Sequence, residues 1–505
     1  MIASQLTNRL MWLFVIIVTF AASWFLTFRY FPFEPDVANS PLVWRAFLDE
    51  GFSVLRDWKP TPDNWYFTVY PINFLFYTLF SSDDRFVLTL STLFFVFLTP
   101  LIVAAITQST QRKITAFIAP MLIVLLPAYC YIYGFIAHPF SHYSTNFYGV
   151  VIFALSFYNL KKKSTAITAL YSLLSLLTAV SDPWFSATWF LPLLLVHGYF
   201  SWQNIISKKT TIIYLLTFIF TMIQAVPRWL HIPVQHFKLV PMDQWLGNAE
   251  WAVHILGRSL NLFFIDNDIA YFTSLAIWVA VFLRAAVVCW QLGEKARFIA
   301  LFSFLSIAAI ITSFVIGYDM ASEGSARFFL NVFCCLVMVV TLYLGAKKNV
   351  VLSGILALFV ASSCYSYTQN PGPYADDEAQ TRAYITFLNQ NNLSFGYGDF
   401  WKWSNNVNWL SENKIHITPV IWEDDYKIMF SSSRGQTMRS WLETEFVARS
   451  PERQFVAIPA IATNDDSGDA NRRLEAIRQQ FGTPDEVLTF SGMTIFVYNH
   501  RLPIN

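Results

Sequence analysis

Two carboxylates stand just after the first long apolar run, in Phe33-Glu34-Pro35-Asp36. At the end of a helix, Glu34 and Asp36 could hold a divalent cation or act as base and orienter toward a hydroxyl. Flanked by Pro32 and Pro35, they also read as a solvated helix break. Asp49-Glu50 is a second acidic pair, read as a helix end. Two of the chain's eight histidines, His138 and His142, fall in the polar stretch Ala137-His138-Pro139-Phe140-Ser141-His142-Tyr143-Ser144-Thr145-Asn146. They could hydrogen-bond a substrate, pack at a membrane interface, or bind a metal with ligands the sequence does not identify. Asp182, in Ser181-Asp182-Pro183-Trp184, is a polar residue between two apolar runs, and equally a helix N-cap with proline in the first turn. Arg327 closes Glu323-Gly324-Ser325-Ala326-Arg327, where the next apolar run opens. Its planar guanidinium suits a phosphate; an interface anchor is the plainer alternative. Arg45, Arg56, Lys59 and Arg228 are weaker cations of the same kind.

The elements that must position these residues are membrane spans. Of 505 residues, 55% are hydrophobic and 13% charged, where a soluble domain carries about a quarter charged residues. The apolar residues come in runs of about 18 to 22, enough to cross a hydrocarbon core. About eleven spans result, near 10–28, 86–107, 114–134, 146–160, 164–181, 184–200, 210–226, 270–291, 297–317, 327–345 and 350–367. The first is read as a retained anchor rather than a signal peptide, because it is long for a signal's apolar region. With the N-terminus inside, the inner connections hold Arg112-Lys113, Lys161 to Lys163, Lys208-Lys209, Lys295 with Arg297, and Lys347-Lys348. The short outer connections 135–145 and 318–326 hold no lysine or arginine, as the positive-inside rule requires. If Asn64–Phe80 or Trp251–Phe264 crossed alone, every later basic loop would change sides. Both are therefore expected to lie in the outer interface, with tryptophan and tyrosine at headgroup depth.

Composition shifts after Thr368-Gln369-Asn370-Pro371-Gly372-Pro373, and charged residues return. The tail predicts a helix over Asp376 to Asn391 with Ala383, Phe387 and Leu388 inward, and a strand over Lys414 to Trp422. It predicts a buried strand over Phe455 to Ile458 and an amphipathic helix over Gly468 to Phe481. A hairpin of Val487 to Phe490 and Thr494 to Tyr498 closes it around Ser491-Gly492. The expected fold is an α-helical polytopic membrane protein with a C-terminal extracytoplasmic α/β domain. Residues 1–367 form the transmembrane part, with interfacial helices in outer loop 29–85, and 368–505 the soluble domain. Gly396-Tyr397-Gly398-Asp399-Phe400-Trp401 is the tail's most unusual stretch. It reads as a turn using glycine's backbone freedom, or as an aromatic edge that stacks on sugar faces. The tail shows no phosphate loop, nucleophile elbow or metal-ligand cluster.

A net charge of +1 leaves no nucleic-acid footprint. The five cysteines all sit in or beside apolar runs, so neither a disulfide nor a thiolate metal site is expected. The spans hold almost no charge. Arg284 can snorkel to the headgroups, and no acidic pair lies at mid-membrane, which argues against ion-coupled transport. Acidic, histidine, aromatic and basic residues collect instead at the outer ends of the spans. That set suits a substrate with a lipid tail, a phosphate and a sugar.

The pattern resembles the GT-C superfamily of membrane glycosyltransferases, specifically bacterial proteins of the O-antigen-modifying glucosyltransferase kind. The resemblance rests on the acidic motif Glu34 and Asp36 after the first span, and on the interfacial segment led by Thr61-Pro62-Asp63-Asn64-Trp65-Tyr66-Phe67. It rests further on His138-Pro139-Phe140-Ser141-His142, Arg327, the Gly396 to Trp401 stretch, and an outer domain after an odd number of spans. It implies a polyprenyl-phosphate-linked sugar as donor, a glycan or lipid-linked acceptor, membrane lipids as surroundings, and a bacterial inner-membrane location with a periplasmic tail. Asp36 would be the general base and Glu34 the orienter or its substitute. Arg327 would hold the leaving phosphate, and His138, His142, Asp182, Trp65 and Arg45 would line the substrate site. Many members carry adjacent acidic residues, whereas Pro35 separates these two, so the choice of base stays open. A lipid monophosphate leaving group needs no metal, and no cofactor is expected, although a metal-dependent variant as in oligosaccharyltransferases stays open. A polysaccharide polymerase or ligase with a lipid-diphosphate donor, and a lipid-linked sugar flippase, are the alternatives.

Overall fold

A computed structural model describes residues 2–111, 114–234, 238–347, 349–370, 372, 375–459 and 469–504, without the side chains of 2–7, 114, 375–376 and 469–471. Arg112, Lys113 and Lys348 of the basic connections, Pro371 and Pro373 after the last span, and Gly468 lie outside these residues. The chain divides into two compact units. The first comprises residues 1–31, 62–228 and 234–373, and the second residues 32–61, 229–233 and 374–505.

The first unit is helical. Among the described residues, six helices are long and apolar enough to cross a membrane: Asn8–Tyr30, Arg85–Thr110, Asp268–Gln291, Glu294–Gly317, Glu323–Ala346 and Val350–Gln369. Each keeps its backbone hydrogen bonds within itself, the condition for crossing lipid. The remaining expected spans also fall on helical segments. The stretch 114–134 is broken into Ile114–Ile118, Ala119–Val124 and Ala128–Ile132, because Pro127 cannot donate to a continuing helix. The span expected at 146–160 is longer, His142–Lys162, capped by the Ser141 side chain on the Tyr143 amide. It therefore takes His142, Thr145 and Asn146 out of the loop and into its first turn. Thr165–Ser181, Leu191–Trp202 and Lys208–Met222 follow, with a π-helical turn at Ser186–Phe190. Of the two segments expected at the interface, Asn64–Phe80 is helical over Val69–Phe80, whereas the helix at Trp251–Phe264 begins nine residues earlier and ends sooner, at Met242–Ser259. With 12 residues, Val69–Phe80 spans about 18 Å, too short to cross.

The core of this unit is aromatic. Phe153 and Phe302 lie 4.5 Å apart and Trp189 lies 5.3 Å from Phe302. Gly149 makes this packing possible, since a Cβ there would stand 2.2 Å from the Trp189 ring. Inside the apolar packing, Ser306 donates to the Thr188 carbonyl and accepts from Asn331 Nδ2, so that these polar atoms are paired where no water can serve them. All five cysteines are free thiols.

The second unit is built on a five-stranded mixed sheet. Its order is His416–Pro419, Phe395–Gly398, Gln454–Pro459, Met493–Tyr498, Glu486–Phe490. The first three are mutually parallel and the last two join antiparallel as a hairpin. Ser491 and Gly492 both have positive φ, 40° and 76°, the backbone a tight hairpin turn needs. Strand alternation divides the core between two faces, with Tyr384, Leu388, Ile417 and Ile495 on one and Tyr397, Ile477, Phe481 and Phe496 on the other. In the Ala375–Gln390 helix the fully buried positions are Thr381, Tyr384 and Leu388, while Ala383 is exposed. The inward face is thus turned one residue from the expected one, because the large Tyr384 ring takes the place against the sheet. The tail's long expected strand is interrupted at Val420, giving His416–Pro419 and Ile421–Trp422.

Residues 32–61 are built into this same unit. Trp58–Lys59 pairs antiparallel with Thr437–Met438, and Trp58 is buried. Ser440 donates from its amide and hydroxyl to the Asp57 carboxylate at 2.8 and 2.5 Å. Phe33 stacks on Trp409 with ring centroids 6.0 Å apart.

Candidate functional site

In the first unit, five of the sequence-predicted residues converge at the ends of four spans. The loop 62–68 is tied to the end of the Thr165–Ser181 helix. Asn64 Nδ2 donates to the Val180 carbonyl at 2.6 Å, the Trp65 amide to the Ser181 carbonyl at 3.3 Å, and the Phe67 amide to the Ser181 hydroxyl at 2.8 Å. Trp65 is held at φ 63°, a left-handed conformation that a bulky residue adopts only when its surroundings impose it. Its buried ring lies 5.9 Å from His142 and 6.3 Å from Phe140.

Asp182 follows Ser181 and is fully buried. Its Oδ2 accepts from Thr145 Oγ1 at 2.5 Å and meets His142 Nδ1 at 2.6 Å, and its Oδ1 accepts from the Trp184 amide at 3.0 Å. A carboxylate removed from water needs such donors. It also fixes the imidazole, so that Nε2 is the nitrogen left to meet a ligand. The turn expected at Asp182 is present, its Oδ1 accepting from the Trp184 amide, and the contact with His142 adds a role that the sequence did not show.

His142 lies 4.8 Å from the ring of Phe328, which stacks on Trp184 at 4.3 Å. Next to Phe328, the Arg327 guanidinium sits 5.0 Å from the Phe328 ring and 6.0 Å from Phe135. Its Nε is buried without a hydrogen-bond partner, and among the described residues Arg327 makes no ion pair. Phe135 in turn lies 5.7 Å from His138, whose Nδ1 accepts from the Phe140 amide at 2.9 Å. His138, Trp65, His142, Asp182 and Arg327 thus lie in one aromatic setting. An unneutralised guanidinium held among rings, beside an oriented imidazole, can bind a phosphate and donate to a neighbouring hydroxyl or ester oxygen.

Glu323 belongs to a different network, although it stands four residues before Arg327. It accepts from Tyr129 at 2.6 Å and Arg258 Nη1 at 2.9 Å, with His254 Nε2 at 3.3 Å. Thr145 and Phe328 were not singled out by sequence. Thr145 stands three residues after His142, a helical spacing that becomes visible once the helix is started at Ser141.

In the second unit, Glu34 and Asp36 lie on one turn, where the Val37 amide donates to the Glu34 carbonyl. A carboxylate oxygen of each lies within 4.8 Å of the other. Arg434 interacts with Asp36 of this pair: burial pushes its pKa down, and the charges of Asp36 and Asp399 hold it up. Its guanidinium lies 3.5 Å from the Phe400 ring centroid and 5.7 Å from that of Trp401. The Gly396 to Trp401 stretch therefore brings Asp399 and two rings to the cation beside Asp36. Trp401 stays 56% exposed. The glycines have a different cause from the expected turn: Gly396 is in a strand, where a Cβ would stand 2.6 Å from the Phe455 carbonyl oxygen.

Two of the weaker cations are engaged elsewhere. Arg45 donates to the Trp409 carbonyl at 2.9 Å, and Lys59 Nζ donates to the Ser433 carbonyl. Arg228 is exposed.

No protein-family model matches this chain, and no curated protein matches it by sequence. Solved structures do. An oligosaccharyltransferase from Archaeoglobus fulgidus, tethered to an acceptor peptide with an NVT sequon, matches at TM-score 0.50 and 11% identity, over 98% of this chain and 75% of that one. The archaeal oligosaccharyltransferase AglB of the same organism, in complex with an inhibitory peptide and a dolichol-phosphate, matches at TM-score 0.51 and 11% identity, over 99% and 75%. At this identity the likeness is one of fold: a polytopic helical membrane architecture followed by a C-terminal β-containing domain.

Proposed function

We propose that the chain is a membrane glycosyltransferase that moves a sugar from a polyprenyl-phosphate-linked donor to an extracytoplasmic glycan or lipid-linked acceptor. The observation that carries this reading is the unneutralised Arg327 in one aromatic setting with the buried His142–Asp182 pair, all at span ends. A phosphate held by Arg327 sits at headgroup depth, where a lipid-linked donor presents it. The GT-C-type fold supports the same reaction class. The AglB neighbour was solved with dolichol-phosphate, which is in keeping with a lipid-phosphate donor.

Asp36 takes the proton of the acceptor hydroxyl as that oxygen bonds to the anomeric carbon. The bond from that carbon to the phosphate oxygen breaks, and the phosphate leaves with the electron pair, its growing charge met by Arg327. One displacement inverts the anomeric centre. Glu34 orients the acceptor, and His138, His142, Asp182 and Trp65 hold the sugar. Arg45, bound to the Trp409 carbonyl, braces the unit that carries Glu34 and Asp36. We place the protein in a bacterial inner membrane with a cytoplasmic N-terminus and a periplasmic tail, modifying an O-antigen-type glycan.

A second reading follows from the separation of Glu34 and Asp36. Carboxylate oxygens within 4.8 Å offer two hard donors of the kind a divalent cation takes. Such an ion would supply charge to the leaving phosphate, and both residues would then be ligands.

Reconstitution with a panel of polyprenyl-phosphate sugars tests these roles. Wild type transfers or hydrolyses one of them, and Asp36→Asn and Arg327→Ala do not. Turnover of none by wild type overturns the transferase reading. Abolition by a chelator, with recovery on adding Mn²⁺ or Mg²⁺, selects the second reading.

A further inference from the structure

The first unit holds a cavity with mixed polar and aromatic walls, whose lining includes neither His142 nor Arg327. Its volume is ≈ 290 Å³, close to the lower end of the range of about 300–1,000 Å³ usual for small-molecule sites. Its walls come from the end of the last span, from the turn after Met242–Ser259, and from Ala128–Ile132 with its flanks. We propose that this cavity binds a neutral saccharide unit.

Charge decides against an anion. The one guanidinium in the wall, Arg258, is held by Glu323 at 2.9 Å and Asp266 at 3.1 Å. His254 stands between Asp268 at 3.1 Å and the same Glu323 at 3.3 Å. Two carboxylates thus offset the single permanent cation, and a third, Asp268, meets the neighbouring His254. Arg29, the other cation near this end, spends Nη2 on the carbonyls of Tyr367 and Asn370 and is not a wall residue. A phosphate would enter a site whose positive charge is already offset, in contrast to Arg327.

The wall chemistry suits sugar rings. Tyr133 and Tyr365 are 37% and 42% exposed in the lining, and Tyr365 is braced edge-on by Phe264 at 5.4 Å. Flat aromatic faces pack on the C–H faces of a pyranose. Asp266, with its side chain 69% exposed, and the Gln369 amide supply acceptor and donor atoms for hydroxyls. Tyr129, under the Arg258 guanidinium at 4.6 Å and hydrogen-bonded to Glu323, holds the charged wall in place.

A lipid is the competing occupant, and a separate place suits it better. The apolar cavity of ≈ 230 Å³ lined by Leu256, Leu260, Trp278 and Phe282 can take a chain, and it shares no wall residue with the cavity of Tyr133 and Tyr365.

This inference goes beyond the transferase reading and is tested without turnover. Full-length protein in detergent is titrated with maltotriose and N-acetylchitotriose, and with glucuronate, inorganic phosphate and phosphatidylglycerol vesicles, followed by saturation-transfer NMR and calorimetry. The expected result is binding of a neutral oligosaccharide that weakens at least fivefold in Tyr133→Ala and in Tyr365→Ala, with donor hydrolysis unchanged. Gel filtration and thermal unfolding confirm that these exposed-ring variants are folded, and Asp266→Asn gives an independent loss through the hydroxyl contact. Binding of no oligosaccharide, binding indifferent to all three substitutions, or displacement by phosphate or by the vesicles overturns the proposal. Saccharide binding without transfer of any donor sugar leaves it standing while the transferase reading falls.

Discussion

Nδ1 of His142 lies 2.6 Å from Oδ2 of Asp182, and that carboxylate has no exposed surface. The pair joins the first turn of one helix to the end of another, 40 residues away. Removing the carboxylate strips the acceptor from Thr145, His142 and the Trp184 amide together. Asp182→Ala is expected to cost about 3 kcal/mol of stability, since buried partners are left unpaired. Asp182→Asn keeps the shape, and is expected to fold while losing most sugar transfer through the wrong imidazole orientation. Thermal unfolding and transfer rate, measured on both variants, separate the two effects.

Arg327 is expected to act on the leaving phosphate. Arg327→Ala should lower kcat by about 10²–10³, the range for losing one group that stabilises developing charge. Arg327→Lys should recover only part, because an ammonium cannot fork onto two phosphate oxygens. Steady-state kinetics on a polyprenyl-phosphate sugar decides it: a raised KM with unchanged kcat would show ground-state anchoring alone.

Arg434 shares its charge with Asp36 and Asp399 and lies 3.5 Å from the Phe400 ring centroid. Arg434→Met should raise the pKa of the base and move the acidic limb of the rate profile toward neutral pH. Asp36→Asn should lower kcat by about 10²–10⁴, as for loss of a general base. A pH–rate profile of Arg434→Met that coincides with wild type would remove Arg434 from this role.

His416 is packed among Phe395, Trp441 and Phe446, and burial pushes its pKa down to about 3. Folded protein therefore resists the proton that the unfolded chain accepts near pH 6.5. Its unfolded state binds more protons between those values, so stability falls as pH drops below about 6.5. The loss should reach about 1–2 kcal/mol by pH 5. His416→Phe should flatten this segment of the stability curve, measured by denaturant unfolding of the full chain from pH 7.5 to 5.

Gly396→Ala tests the close approach inside the tail's sheet. A methyl 2.6 Å from the Phe455 carbonyl oxygen forces the neighbouring strand to move. The expected cost is about 1–3 kcal/mol. Gly492→Ala, which meets no neighbour but carries φ 76°, should cost about 1 kcal/mol through backbone strain alone. Equal unfolding temperatures for Gly396→Ala and wild type would contradict the packing account.

The amino-acid order by itself determined the class of protein and most of its elements. Apolar run length marks six of the expected spans as single long helices, because lipid cannot satisfy backbone groups and such a helix pairs them within itself. Alternation and turn chemistry mark the tail's closing hairpin at Ser491-Gly492 for an equally local reason. Residue type marked His142, Asp182 and Arg327 as capable of chemistry. The order could not say that Trp65 is docked on Ser181, that Asp182 fixes His142, or that Glu323 turns away from its near neighbour Arg327. Those relations join residues from four to well over a hundred positions apart, and no periodicity encodes them. Tertiary packing decided them, because a buried carboxylate must find donors and a bulky residue must accept positive φ only where several elements meet and leave no cheaper arrangement.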